Sequence, residues 1–367
     1  MTRNRIPAAR TLIVLTLLLI GLLAGCRGAA QPPAQPPSGT LPAFPTVLTV
    51  MTHDSFNVSA SVLAEFERIN NAKVRFVKAG DAGTMLNKAI LAKDKPLADV
   101  LFGVDNTYLS RALKEGIFEA YDAPALADVP DNVQLDPEHR ALPIDTGDVC
   151  LNYDKAYFAD RGISPPASLG DLTSPEFKGL LVIENPSTSS VGLAFLLATV
   201  GAFGDPGYLS FWEQLAANDV LVVDSWETAY NTEFSGSSGR GPRPIVVSYG
   251  SSPVFEVVYA ATQPQESPTA AVVSDNTCFR QIEFAGILHG TANRKMAEAW
   301  IDFMLSPIFQ EDMPLQMYVF PVNSRAKLDP AFQEYLAVPD LPVAFAPADI
   351  EAHRETWINA WREVVLR

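Results

Sequence analysis

Five stretches of this chain carry side chains that bind or react. Tyr249-Gly250-Ser251-Ser252-Pro253 sets an aromatic ring, a flexible joint and two hydroxyls at the end of the apolar run that starts at Ile245. Trp226 is followed by Glu227, Thr228 and Tyr230. Ser187-Thr188-Ser189-Ser190 places four hydroxyls before the apolar stretch Val191–Val200. Asp54-Ser55 and Asp105-Asn106 follow the apolar runs Val47–Met51 and Asp99–Val104. The chemistry these residues offer is recognition. Aromatic faces take rings and cations, and hydroxyls at a helix start lie beside free N–H groups that suit an anion or a polar ligand head. Each stretch also has a plainer explanation. A helix N-cap needs only one hydroxyl or aspartate, tryptophan is often core, and Gly-Ser-Ser-Pro makes an ordinary turn. Catalysis finds less support. A serine nucleophile needs a base within reach, and His53, His139, His289 and His353 are scattered singly. Cys26, Cys150 and Cys278 form no CxxC, and no zinc-ligand spacing occurs. The glycine-rich motifs of phosphoryl transfer and dinucleotide binding are absent, and Gly236-Ser237-Ser238-Gly239 is one residue short of a nucleophile elbow.

The elements that must position these residues alternate. Val47–Met51, Lys73–Val77 and Asp99–Val104 read as strands, with Val62, Leu63, Phe66 and Ile69, and then Thr84–Lys93, at helical spacing between them. Such alternation predicts a parallel sheet with helices on both faces. In such sheets ligands sit just outside the strands' C-terminal ends, where all five stretches fall. Ala120–Arg140 reads as loop, Pro143–Tyr153 as a strand, Gly179–Ile183 and Val220–Val223 as strands around the helices Val191–Val200 and Gly207–Ala217. Cys278–Gly286 alternates as a strand, Lys295–Leu305 is a helix, Ser306-Pro307 opens a helical turn through Gln310, Met317–Val322 is extended, and Pro347–Val365 closes the chain as a helix. This is an α/β chain of 367 residues with 48% hydrophobic content, enough for one large or two medium domains. Its net charge of −15 disfavours a nucleic-acid partner, which would need a basic face.

Residues 1–26 stand apart. Arg3, Arg5 and Arg10 precede the apolar run Leu12–Ala24, which is too short to span a bilayer as a helix. The ending Leu23-Ala24-Gly25-Cys26 resembles a bacterial lipoprotein signal, which implies lipidation of Cys26 and a domain held on the outer face of a membrane. Residues 27–45 are proline-rich and nearly uncharged, an expected tether.

Thr52–Phe56, Ala98–Asn106, Tyr153-Asp154-Lys155, Ser189–Leu196, Trp226–Tyr230, Val247–Pro253, Phe303–Gln310, Phe320-Pro321-Val322 and Phe345–Trp361 together resemble the substrate-binding proteins of bacterial ABC importers, most closely the thiamine-binding ones. The resemblance implies a two-lobed type II periplasmic-binding-protein fold with the ligand clasped between lobes and two strands crossing the hinge, near Asp145–Asn152 and Phe279–Gly286. It implies lobe 1 from residues 46–144 and 283–320, and lobe 2 from 145–282 and 321–367. Cys150 and Cys278 would then lie close and form a disulfide in an oxidising compartment. It implies no enzyme activity, cofactor or metal, a monomer acting with an ABC permease, and thiamine or a close relative as ligand. Trp226, Tyr249 and Tyr318 would face its thiazolium cation. Asp54, Asp105 and Asn106 would hold the aminopyrimidine or balance charge, with Ser55 also in the ligand site. Thr188, Ser189 and Ser190 would grip the hydroxyethyl arm or a phosphate on it, with Ser251, Ser252 and Tyr230 completing the site. His53, Phe255 and Tyr318 depart from the family's usual tyrosine, tyrosine and tryptophan, so relatives of thiamine stay open as ligands. Ferric ion or a polyamine on the same fold, an exported serine hydrolase, and a surface receptor or adhesin are the competing readings.

Overall fold

The computed structural model describes residues 45–237, 240–262 and 264–366. The expected signal segment, its Cys26 and the tether up to residue 44 lie outside the described residues. The described residues form eleven strands in one mixed sheet. On one side β1 (Thr46–Thr52) lies parallel between β2 (Ala72–Lys78) and β3 (Val100–Asp105). On the other side β6 (Leu181–Glu184) lies parallel between β7 (Leu221–Val223) and β8 (Ile245–Tyr249). Two long strands join these parallel sets. β5 (Leu142–Asp154) pairs antiparallel with β8, β10 (Phe279–Leu288) pairs antiparallel with β3, and β5 and β10 pair antiparallel with each other. These are the two crossing strands the sequence places at the hinge, and the fold is the two-lobed type II arrangement. Three short strands finish the edges: β4 (Phe118–Glu119) on β10, and β9 (Thr269–Val272) and β11 (Phe320–Pro321) on β5.

Helices cover the sheet as the periodicities predict. The helix α1 (Ala60–Asn70) starts at Ser59, whose hydroxyl accepts from the Val62 N–H, and ends at Asn71 in the left-handed region. Asp81 opens α2 (Ala82–Leu91), α3 (Leu109–Lys114) follows β3, and α4 (Lys155–Arg161) follows β5 with Asp154 as its cap. The helix α5 (Ser190–Phe203) is apolar all round because it runs through the core, and Ser189 caps it. On its flank α6 (Gly207–Ala217) brings Trp212 against Phe195, 5.7 Å between ring centres. The single turn α7 (Trp226–Thr228) and helix α8 (Ser252–Val258) follow β7 and β8. On the first side, α9 (Arg294–Met304) packs Trp300 edge-on to Phe66 at 4.8 Å. The last helix, reading α10 (Pro307–Met317) and α11 (Pro330–Tyr335) before it, is α12 (Pro347–Val365). It meets α6 through Trp361 on Trp212, and α3 through Arg354 over Tyr108.

The structure differs from the sequence reading at α10. The turn expected to stop at Gln310 continues to Met317, although Pro314 removes a backbone donor from its middle. Tertiary contacts explain the continuation. Gln310 is buried; its amide donates to Ile144 O and Met304 O, and its carbonyl accepts from Val322 and Asn323 N–H. The helix is thereby tied to the hinge strand β5. Tyr318 follows in the left-handed region, φ 66°, so the stretch from Met317 read as extended begins instead with a helix end. Ala120–Arg140, read as loop, contains two short 3₁₀ turns.

Cys150 on β5 and Cys278, which directly precedes β10, are joined by a disulfide with Cα atoms 4.4 Å apart. The bond closes a loop across 128 residues of sequence, so it removes much chain entropy from the unfolded state. Cys150→Ala is expected to lower unfolding stability by about 2–4 kcal/mol. Urea unfolding with and without reductant checks this, and a wild type indifferent to reductant under unfolding conditions would contradict it.

Candidate functional site

A cavity of about 240 Å³ opens between the two sides of the sheet. That size suits a small molecule rather than a polymer. Its floor is the hinge. Along β10 alternate side chains point the same way, so Gln281 and Glu283 face the cleft while Arg280 and Ile282 face the opposite side of the sheet. The neighbouring strands add their C-terminal ends. Tyr249 closes β8 and lies over Gly147 of β5, where a Cβ would meet the ring at 2.8 Å. Tyr249 Oη donates to Gln281 Oε1 at 3.0 Å. The Gln281 amide then donates to Asp105 and, at 3.0 Å, to Ser190 Oγ at the start of α5. One buried glutamine therefore links β3, β8 and α5.

The wall is aromatic. Trp226 and Tyr318 line the cavity with Tyr249. Trp226 stacks on Tyr230 with ring centres 5.0 Å apart and meets Tyr318 edge-on at 5.5 Å. Its Nε1 donates to Ser248 Oγ at 2.9 Å, and Tyr230 Oη donates to Glu256. Phe255 stacks behind Tyr318 at 3.5 Å. Trp226 and Tyr318 are thus held by rings and hydrogen bonds on their far sides, with a face left to the cavity.

Charged groups also line the cavity. Asp81, Glu227 and Glu283 stand against Lys78 and His53. His53 is mostly buried, with Nε2 3.6 Å from Glu283 Oε1. Burial first, and then nearby Lys78, push its pKa down to about 4, so the ring is neutral near pH 7. Burial raises Asp81 and Asp105 to about 6 and Asp145 to about 7, and lifts Glu283 well above the usual carboxylate range. Asp81 also bridges the cleft. One oxygen accepts from Ala82 N–H of α2 and the other from Trp226 N–H at 3.1 Å. Gly83 and Thr84 donate to the Thr188 carbonyl at 3.1 and 3.3 Å, and Tyr108 to the Pro186 carbonyl. The start of α2 and the loop before α5 therefore touch across the opening.

A family model described as bacterial extracellular solute-binding protein matches residues 95–345. The chain belongs to this family. Two relatives, each a "Thiamine-binding periplasmic protein", are 31% identical (Salmonella typhimurium) and 30% identical (Escherichia coli strain K12), each over 89% of this chain and 96% of its own length. A solved structure titled "Periplasmic thiamin binding protein" is similar with TM-score 0.76 and 27% identity, covering 88% of this chain and 97% of that one.

In this solute-binding protein, five of the thirteen residues expected in the ligand site line the cavity: Ser55, Ser190, Trp226, Tyr249 and Tyr318. The other eight lie behind it or elsewhere. Asp54 accepts from Gly80 N–H and ties the turn after β1 to that after β2. Asp105 lies beneath the cleft, held by Thr107 and Gln281. Asn106 clamps the β10 backbone at Arg280 O and Ile282 N. It lines a second cavity of about 580 Å³ on the opposite face of the hinge, mostly apolar, whose Arg280 is already paired with Asp148. Thr188 bonds Asn185 O and Asp224 O, and Ser189 caps α5. Tyr230 backs Trp226. Ser251 donates to the Tyr318 carbonyl, and Ser252 is paired with Ser248 at 2.8 Å. The strand-end stretches lie around this cavity, and the hydroxyls and acids of their turns also serve as caps and ties, so fewer of their side chains turn inward.

The sequence reading missed Asp81 and Glu283 as lining residues. Both left a signal. Asp81 follows the strand β2, just as Asp54 and Asp105 follow theirs, and Glu283 is an acid inside the otherwise apolar run Ile282–Gly286.

The raised carboxyls set the pH dependence. A carboxyl whose folded value lies above its unfolded value adds stability fully below the unfolded pKa, and that stability is lost as pH rises through the folded pKa. His53 works in the opposite sense: its contribution is complete above about 6.5 and lost toward about 4. Melting of the ligand-free protein is therefore expected to weaken from about pH 6 to about pH 8, and Glu283→Gln to remove much of that decline. A wild type whose melting temperature rises steadily over this range would contradict the assignment.

Proposed function

We propose that this solute-binding protein captures thiamine, or one of its phosphate esters, outside the cytoplasm and delivers it to an ABC permease. The observation that carries the reading is the pairing of chemistries in one cavity. The faces of Trp226, Tyr249 and Tyr318 stand beside two acids, buried Glu283 and half-buried Asp81, with no arginine in the lining. A permanent aromatic cation such as thiazolium is suited by π faces and counter-charge in a desolvated setting. The names and length coverage of the relatives point the same way. Ser190 at the start of α5 and Lys78 are placed to hold a hydroxyethyl arm or a phosphate on it.

Binding would proceed by closure. Residues 46–144 and 283–320 form one lobe and residues 145–282 and 321–367 the other in this reading, with β5 and β10 as the hinge. A ligand that touches both lobes favours the closed state by its differential contacts. The protein acts as a monomer, tethered through lipid on Cys26 and the proline-rich segment after it, and does no chemistry on its ligand.

A thermal-shift scan and calorimetric titration with thiamine, its mono- and diphosphates, spermidine and ferric citrate test the reading. Thiamine compounds alone are expected to stabilise the protein. A shift with spermidine or ferric citrate alone would overturn the ligand. Trp226→Ala is expected to weaken thiamine binding by about 1–2 kcal/mol or more, with Trp226→Phe retaining most of the affinity. Unchanged affinity in the folded Ala variant would remove Trp226 from the site.

A further inference from the structure

Three acids stand in a row beneath the ligand cavity. In the sheet register Glu283 of β10 lies opposite Asp105 of β3 on one side and opposite Asp145 of β5 on the other. Cross-strand partners share a face, so the three carboxyls point toward the same side. All three are buried, and Glu283 reaches the cavity. The β10 ladder shifts register directly after Glu283 on the β5 side, and one residue later on the β3 side. Like charges directly opposite on neighbouring strands are destabilising, so this row needs either protons or a cation.

The surrounding groups supply little positive charge. Asp105 is satisfied by Thr107 and Gln281. Neither oxygen of Asp145 has a hydrogen-bond donor, and Nε2 of His53 is likewise without one. The titratable and charged groups facing Glu283 are His53 from the turn after β1, Asp105, Asp145, Asp81 before α2 and Tyr249 of β8. His53 is neutral. Lys78, the cation of the lining, donates to the Asp54 carbonyl at 2.7 Å. The structure thus holds an excess of buried acid at the floor of a cavity with aromatic walls, and two orphaned oxygens one strand away.

Resting on the thiamine reading, we propose that Glu283 and Asp145 share a proton in the empty cleft, that a cationic ligand displaces it, and that Glu283 is the ligand's counter-ion. The balance is simple. The carboxyl O–H bond breaks, the proton leaves to solvent, and the thiazolium charge replaces it beside the carboxylate. No bond forms to the ligand. Because the complex favours the ionised pair, binding releases protons wherever the empty site still holds one, and affinity rises with pH over that range. Burial raises both carboxyls of the pair, Asp145 to about 7 and Glu283 well above the usual carboxylate range. His53 contributes the converse device: kept neutral, it avoids setting a second cation beside the ligand.

The experiment is calorimetric titration of the mature protein with thiamine at about pH 6, 7 and 8, in two buffers of different ionisation enthalpy. Wild type is expected to release up to one proton and to tighten by up to about tenfold per pH unit. Glu283→Gln is expected to bind more weakly at the highest pH, with no proton release and a flat pH profile. Asp145→Asn removes the like-charged neighbour, so its profile is expected to keep the slope but move to lower pH. Thermal melts establish that both variants fold. Thiamine binding by wild type without proton release or pH dependence overturns the counter-ion role and leaves the ligand reading standing. A slope that persists in Glu283→Gln overturns it too. Failure of wild type to bind thiamine at any pH overturns the ligand reading and this inference together.

Discussion

Two antiparallel strands, β5 and β10, carry the only sheet pairing between the two parallel sets among the described residues. Every other feature of the site depends on that pairing. It sets Glu283 opposite Asp145, positions Gln281 to reach Asp105, Tyr249 and Ser190, and brings Cys150 within bonding distance of Cys278. Buried like charges on adjacent strands cost stability in an empty site. Their retention makes physical sense where an incoming ligand brings the missing positive charge.

The walls follow from the same geometry. Each wall residue sits at or just after the end of an element. Tyr249 ends β8, Trp226 follows β7, and Tyr318 follows α10, which Gln310 ties to β5. Rings on the far side of Trp226 and Tyr318 then hold their orientation. Preorganised faces of this kind lower the ordering cost of binding. Asp81 couples the aromatic wall to α2, since one carboxyl caps that helix and holds Trp226 N–H across the opening. Closure and ring position are therefore not independent.

The architecture was legible in the sequence because strand and helix periods are local. The individual strands and the closing helix follow from apolar spacing, with ends within a few residues of those observed, while the crossing of β5 and β10 at the hinge is what the family resemblance implies. The helix α10 was not legible to its full length, since Pro314 is a local stop signal that the buried Gln310 contacts override. The site was legible by neighbourhood. Turn residues such as Asp54, Thr188 and Ser251 resemble ligand groups and caps alike, and only tertiary packing decides which role each takes. Glu283 and Asp145 were hidden for a different reason. Their meaning lies in the register between strands distant in sequence, which no local pattern encodes.

The most direct test is a crystal structure of the mature protein grown with thiamine. The account predicts the thiazolium ring in the cavity lined by Trp226, Tyr249 and Tyr318, with its charge beside the Glu283 carboxylate and both lobes in contact with the ligand. Thiamine seated in the cavity on the opposite face of the hinge, or held away from Glu283, would contradict it.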